Sequence, residues 1–80
     1  MTTPQQIKAW IEAGLPCEFV RVEGDGQHFE AVIVSASFLG RTRVAQHQLV
    51  YAALGDRMHA EIHALSMKTL TPEDWQKQNG

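Results

Sequence analysis

The sequence predicts an α+β fold with the order α-β-β-α-β-α, a three-stranded mixed sheet with helices packed on it. Three observations carry the prediction. Thr3-Pro4 and Thr71-Pro72 are helix starts of the same chemistry near the two ends of the chain. Gly24-Asp25-Gly26 is a turn between two stretches rich in Val, Ile and Phe. A helical pattern over 43–54 then separates the second strand from the third. A tight turn makes its strands antiparallel, whereas a strand–helix–strand passage makes parallel neighbours joined in the right-handed sense. The first pair is therefore expected to be antiparallel and the second parallel. Eighty residues are expected to form one domain, 1–80, with a small core.

In order along the chain, Thr3 can cap a helix over 4–13. Pro4 suits its first position, and Gln6 stands where a capping-box partner reaches back. Ile7, Trp10 and Ile11 recur at helical spacing, and Gly14 is expected to close the segment as a left-handed cap. Residues 17–23 read as a strand, with Val20 and Val22 on one face and Arg21 and Glu23 on the other. The glycines of the turn accept the positive φ of a tight reversal. Phe29–Ser37 runs almost without charge after Glu30, as in a strand covered on both faces or nearly so. Thr42 can cap the helix 43–54, where Val44, His47, Tyr51 and Leu54 form one apolar stripe, and Gly55 stops it. Residues 60–69 alternate as a third strand, with Ile62 and Ala64 opposite His63, Leu65 and Met67. After Thr71-Pro72-Glu73-Asp74, Trp75 docks the closing helix.

Composition excludes more than it assigns. Seven Lys and Arg against nine Asp and Glu give a net charge of −2, which argues against a nucleic-acid binder held by bulk electrostatics. One cysteine, Cys17, excludes an internal disulfide and any site needing several thiolates from this chain. Cys17 is expected to act as a small buried hydrophobe, since nothing basic lies nearby to lower its pKa. There is no signal-peptide pattern and no apolar run near the ~18 residues a bilayer span requires. A reducing, cytoplasmic location is the expectation. Phosphate-loop, nucleophile-elbow and zinc-helix motifs are absent, and the carboxylates are scattered, so no enzyme is indicated.

Four histidines hold the remaining chemistry. His59 and His63, four apart in an expected strand, would stand about 13 Å from one another and are rejected as a metal pair. His28 and His63 differ. If the second and third strands are parallel neighbours, about 4.8 Å apart, both lie toward the strand starts and could touch one small metal centre. Against this stands the ordinary role of a lone histidine as a packed or exposed structural residue.

Several motifs together resemble the BolA family: Gly24-Asp25-Gly26-Gln27-His28-Phe29, Val32-Ile33-Val34-Ser35, Phe38-x-Gly40, Leu49-Val50-Tyr51, Ile62-His63-Ala64-Leu65 and Thr71-Pro72-Glu73-Asp74-Trp75. The resemblance runs from about Glu18 to Trp75 and looks most like the short acid-stress, IbaG-like subgroup. It implies a class II KH-like fold and a heterodimer with a monothiol glutaredoxin that shares a 2Fe–2S cluster, in cluster trafficking or iron and stress sensing. In that assembly the glutaredoxin brings its active-site cysteine and glutathione a second thiolate. The BolA-like chain brings a histidine from the third strand, which His63 matches, and a histidine or cysteine from the hairpin loop, which His28 matches. Two imidazoles can complete a cluster whose thiolates come from elsewhere, and replacing thiolates by neutral histidines raises the reduction potential. Imidazole binds iron in its neutral form, so acid near its ordinary pKa of about 6.5 weakens such a site.

The resemblance also implies an alternative, a DNA-binding transcriptional regulator of stress response and cell morphology that uses the KH-like surface. Arg41 and Arg43 are the candidate phosphate contacts. Two departures weaken this reading. Many members carry Arg-His-Arg where this chain has Gln46-His47-Gln48, and no Gly-x-x-Gly nucleotide clamp is present. His47 is expected to pack. A third reading is a small adaptor whose histidines serve only packing or pH response. The free chain is expected to be a monomer or weak homodimer.

Overall fold

The computed structural model describes residues 1–79; residue 80, the end of the expected domain, lies outside them. Its elements are α1 (Pro4–Gly14), β1 (Phe19–Gly24), β2 (His28–Val34), a 3-10 turn (Ala36–Phe38), α2 (Arg43–Leu54), α3 (Arg57–Ala60), β3 (Ala64–Leu70) and α4 (Pro72–Asn79). The expected α+β architecture is present, with one short helix added. The sheet order is β1-β2-β3, with β1 and β2 antiparallel and β2 and β3 parallel, as the connections require.

Local chemistry explains most of the boundaries. Thr3 and Gln6 form the full capping box of α1. Thr42 Oγ1 accepts the Ala45 N–H at the start of α2, and Thr71 Oγ1 accepts the Asp74 N–H at the start of α4. Gly55, at φ 59°, ends α2. Ile7 and Ile11 of α1, Val50 and Leu54 of α2 and Phe29 and Ile33 of β2 meet in one core. Trp75 stacks on Phe19 with ring centroids 4.8 Å apart, which ties α4 to the sheet.

The structure corrects five expectations. Gly14 is the last helical residue, not a left-handed cap. The cap is Leu15 in extended conformation, and a Cβ on Gly14 would stand 2.8 Å from Ala53, so glycine is there to let α1 and α2 touch. The second strand ends at Val34. The Ser35 N–H still donates to the Leu70 carbonyl, but its buried hydroxyl donates to the Pro16 carbonyl at 2.6 Å and accepts the Ser37 N–H, which opens the 3-10 turn. That strand is covered on one face only over its first half, where His28 and Glu30 are exposed. The stripe of α2 is also rotated. Val50 and Leu54 are buried while Val44 is 67% and Tyr51 41% exposed. Gln46 helps set this rotation by donating to the Phe38 and Arg41 carbonyls and accepting from Thr69 Oγ1. Finally, residues 57–60 are helical and β3 begins only at Ala64, so His63 precedes the strand and Ile62, beside it, turns into the core.

Candidate functional site

The site is built by two hydrophobic anchors. Phe29, the residue after His28, is buried, and so is Ile62, the residue before His63. In β2 adjacent side chains point to opposite sides, and at the bend before β3 the buried Ile62 is followed by exposed His63. Each anchor therefore holds its neighbouring histidine outside the core, and both histidines are exposed. The parallel pairing supplies the rest, since His28 pairs with Ala64, the residue after His63. The two imidazoles stand with centroids 6.1 Å apart and planes at 82°. The chain thus brings together the two residues singled out for cluster ligation.

Asp25 shapes the hairpin tip that carries His28. Its Oδ1 accepts the N–H of His28 and of Gln27, each at 2.9 Å, and the Asp25 N–H donates to the His28 carbonyl at 3.3 Å. The His28 N–H, and after it the Gln27 N–H, hold the Asp25 carboxyl below its ordinary value of 3.8.

Two shallow hollows flank the pair. On the open face of the sheet, His28 shares a hollow with Glu23, Asp25, Glu30 and Ser66. On the helix side, His63 shares one with Tyr51, Gly55, Met58, His59 and Ile62. The pairing of His59 with His63 was rejected on a strand spacing that does not apply, because His59 lies in α3. A single turn of helix has no periodicity by which sequence could reveal it. Among the described residues no three His, Cys, Asp or Glu side chains gather as a metal site.

The other candidates lie elsewhere. Cys17 precedes β1, whose first residue pairs with Val34 at the opposite end of β2 from His28. Six residues of strand separate these ends by about 20 Å. The Cys17 thiol donates to the Leu15 carbonyl at 3.2 Å, and burial, with the Glu12 carboxylate, pushes its pKa above 9.0. His47 is half-buried in the middle of α2. Arg41 and Arg43 are exposed at the start of α2; Arg41 Nε donates to the Ser37 carbonyl at 3.0 Å. They stand about 18 Å along the axis of α2 from the end that approaches His63. Leu39 and Val44, also exposed, lie beside them in the sequence.

The comparisons with known proteins agree with this architecture. The family model described as BolA-like protein matches residues 12–74. The chain is 43% identical over 89 aligned positions to the DNA-binding transcriptional regulator BolA of Haemophilus influenzae, covering 99% of this chain and 86% of the relative. It is 37% identical over 71 positions to the acid stress protein IbaG of Escherichia coli K12, covering 88% and 84%. A solved bolA protein homologue from Coxiella burnetii superposes with a TM-score of 0.85 at 51% identity, covering 95% of this chain and 99% of that one. The chain belongs to the BolA family. These relatives are named for regulation and for stress, not for a catalysed reaction. No helix among the described residues is long and apolar enough to cross a membrane.

Proposed function

We propose that this chain is a cluster-binding partner protein that co-ligates a 2Fe–2S centre through His28 and His63, with thiolates supplied by a monothiol glutaredoxin and by glutathione. The observation that carries the reading is the approach of two exposed imidazoles to 6.1 Å between centroids. With metal–nitrogen bonds near the ~2.0–2.1 Å found for zinc, two such rings can reach one small centre when their nitrogens point into the gap. A 2Fe–2S centre takes four protein-type ligands, and two imidazoles in place of thiolates raise its potential. Half of the set is here. Cys17 cannot supply the remainder, being at the far end of the sheet with its thiol pushed toward the protonated form. The donor chemistry therefore fits a shared site better than a self-contained one. Delivery of clusters or sensing of iron and stress is the corresponding role, in the cytoplasm.

Mixing the protein with cluster-loaded monothiol glutaredoxin and glutathione tests this. A changed visible absorption and circular dichroism spectrum, with a heterodimer on size exclusion, is expected. Unchanged spectra and no heterodimer would overturn the reading.

A second reading, binding to duplex DNA, is supported by the name of the Haemophilus relative and by the exposed Arg41 and Arg43 at one end of α2. Only two arginines and a net charge of −2 stand behind it. Fluorescence anisotropy against duplex DNA at low salt, where phosphate contacts are strongest, decides it; no binding there excludes this reading.

A further inference from the structure

The family match begins at residue 12, yet the preceding segment reaches both loops that carry the histidines. Thr2 Oγ1 donates to the Glu61 carbonyl at 2.6 Å, two residues before His63. The Arg57 guanidinium of α3 sits 5.0 Å from the centroid of the Trp10 ring. Met1 lies against Gly26 at the hairpin tip, where a Cβ would stand 2.9 Å from its Sδ. Gly26 also has φ +97°, a conformation that glycine adopts without strain.

These ties matter because the residues leading to His63 lie outside the sheet and are held by a single short helix and the Ile62 anchor. Sheet pairing starts at Ala64. The N–H groups of Glu61 and Ile62 both donate to the Arg57 carbonyl, so the position of α3 sets the position of the loop. α3 is four residues long, and its capping residue Asp56 makes no side-chain cap bond. One turn of helix does not persist on its own. Backbone bonds from Met58 to Gly55 and from His59 and Ala60 to Asp56 tie α3 to the end of α2, and Met58 and Ile62 pack on the core. Thr2 and Trp10 add the contacts that come from outside this stretch.

We propose that residues Met1–Trp10 act as a strap that positions His63 against His28, with Thr2 and the Trp10–Arg57 pair as its positioning residues. The proposal rests on the reading of both histidines as ligands, and it assigns a role to a segment outside the family match. The strap joins the hairpin tip to the α3–β3 loop, so the distance between the imidazoles, set first by the pairing of His28 with Ala64, is also held by contacts outside the strands.

The test compares Thr2→Val, Arg57→Ala and Thr2→Ser with the wild type in two measurements. The first is the nuclear Overhauser effect between the His28 and His63 ring protons in the free protein. The second is the decay of the visible circular dichroism of the mixed cluster formed with monothiol glutaredoxin and glutathione. Thr2→Val and Arg57→Ala are expected to weaken the ring–ring signal. They should also speed decay about two- to tenfold, the factor that one hydrogen bond net of solvent or one exposed cation–π contact is worth. Thr2→Ser is expected to match the wild type in both. Ring signals and decay rates unchanged in Thr2→Val and Arg57→Ala would overturn the strap. So would changes that only track a fall in thermal midpoint and are not restored in Thr2→Ser. If the wild type itself forms no mixed cluster, the ligand reading falls, and the ring–ring signal alone decides whether the strap positions the pair.

Discussion

The two ends of the sheet are made of different materials. At one end Val34 and Leu70 are buried, the Ser35 hydroxyl is sealed against the Pro16 carbonyl at 2.6 Å, and Trp75 stacks on Phe19. The Ser35 N–H donates to the Leu70 carbonyl, and the Glu18 N–H to the Val34 carbonyl. At the other end His28, Glu30 and His63 are exposed. That end is held by one carboxylate cap, from Asp25, and by one hydroxyl, from Thr2. The sealed end stabilises the fold and leaves the open end free to present chemistry. Neither end carries a buried side-chain polar atom without a partner among the described residues.

This contrast predicts that substitutions at the two ends separate function from stability. The largest effect is expected from His63→Ala, which should abolish the mixed-cluster circular dichroism with glutaredoxin. As an exposed substitution it should change stability by no more than about 0.5 kcal/mol; urea titration beside the spectrum checks both. Ser35→Ala should do the reverse. It removes a buried hydroxyl that donates to the Pro16 carbonyl and accepts the Ser37 N–H, two bonds together worth about 1–3 kcal/mol. For a domain this small that corresponds to a thermal midpoint lower by roughly 4–8 °C per kcal/mol, with the cluster spectrum unchanged. A Ser35→Ala protein that melts like the wild type would remove the distinction between the ends.

The smallest effect concerns Asp25. Its carboxyl is held below 3.8 in the fold by the His28 and Gln27 N–H groups. A depressed folded value contributes stability fully above the unfolded value, and that contribution is lost as pH falls through the folded one. The wild type should therefore melt above Asp25→Ala at neutral pH, and the gap should close as the solution is acidified below about pH 4. Thermal melts across that range measure it, and a gap that stays constant would show that the cap acts through something other than the carboxylate charge.

Much of the fold was legible where one residue has one chemical task. Thr3, Thr42 and Thr71 each accept the N–H they were expected to accept, and Gly55 takes the positive φ expected of a helix stop. The strand pairing and the meeting of His28 with His63 followed from connection rules and appear in the fold. Legibility failed where tertiary contacts choose between near-equal local options. Two neighbouring stripes of α2 carry apolar residues, and a glutamine stands on the inward one. Gln46 hid that stripe because its polarity is used for hydrogen bonds to Phe38, Arg41 and Thr69. Gly14 reads as a cap in one dimension and is a contact point in three. The strap was invisible for a related reason. Thr2 and Glu61 are far apart in sequence, and the bond is to a backbone carbonyl that carries no residue-type signal.

The parallel pairing of β2 with β3 has a consequence for how the chain matures. The hairpin of β1 and β2 is local, but β3 begins only at Ala64, after α2 and α3 have been made. Non-local pairings form late because loop closure must precede their reward, and synthesis proceeds from the N-terminus. Until that last strand docks, His28 and His63 are two unrelated side chains on a growing polypeptide. A nascent or half-folded copy thus has no histidine pair, and whatever chemistry needs both imidazoles together waits for completed folding.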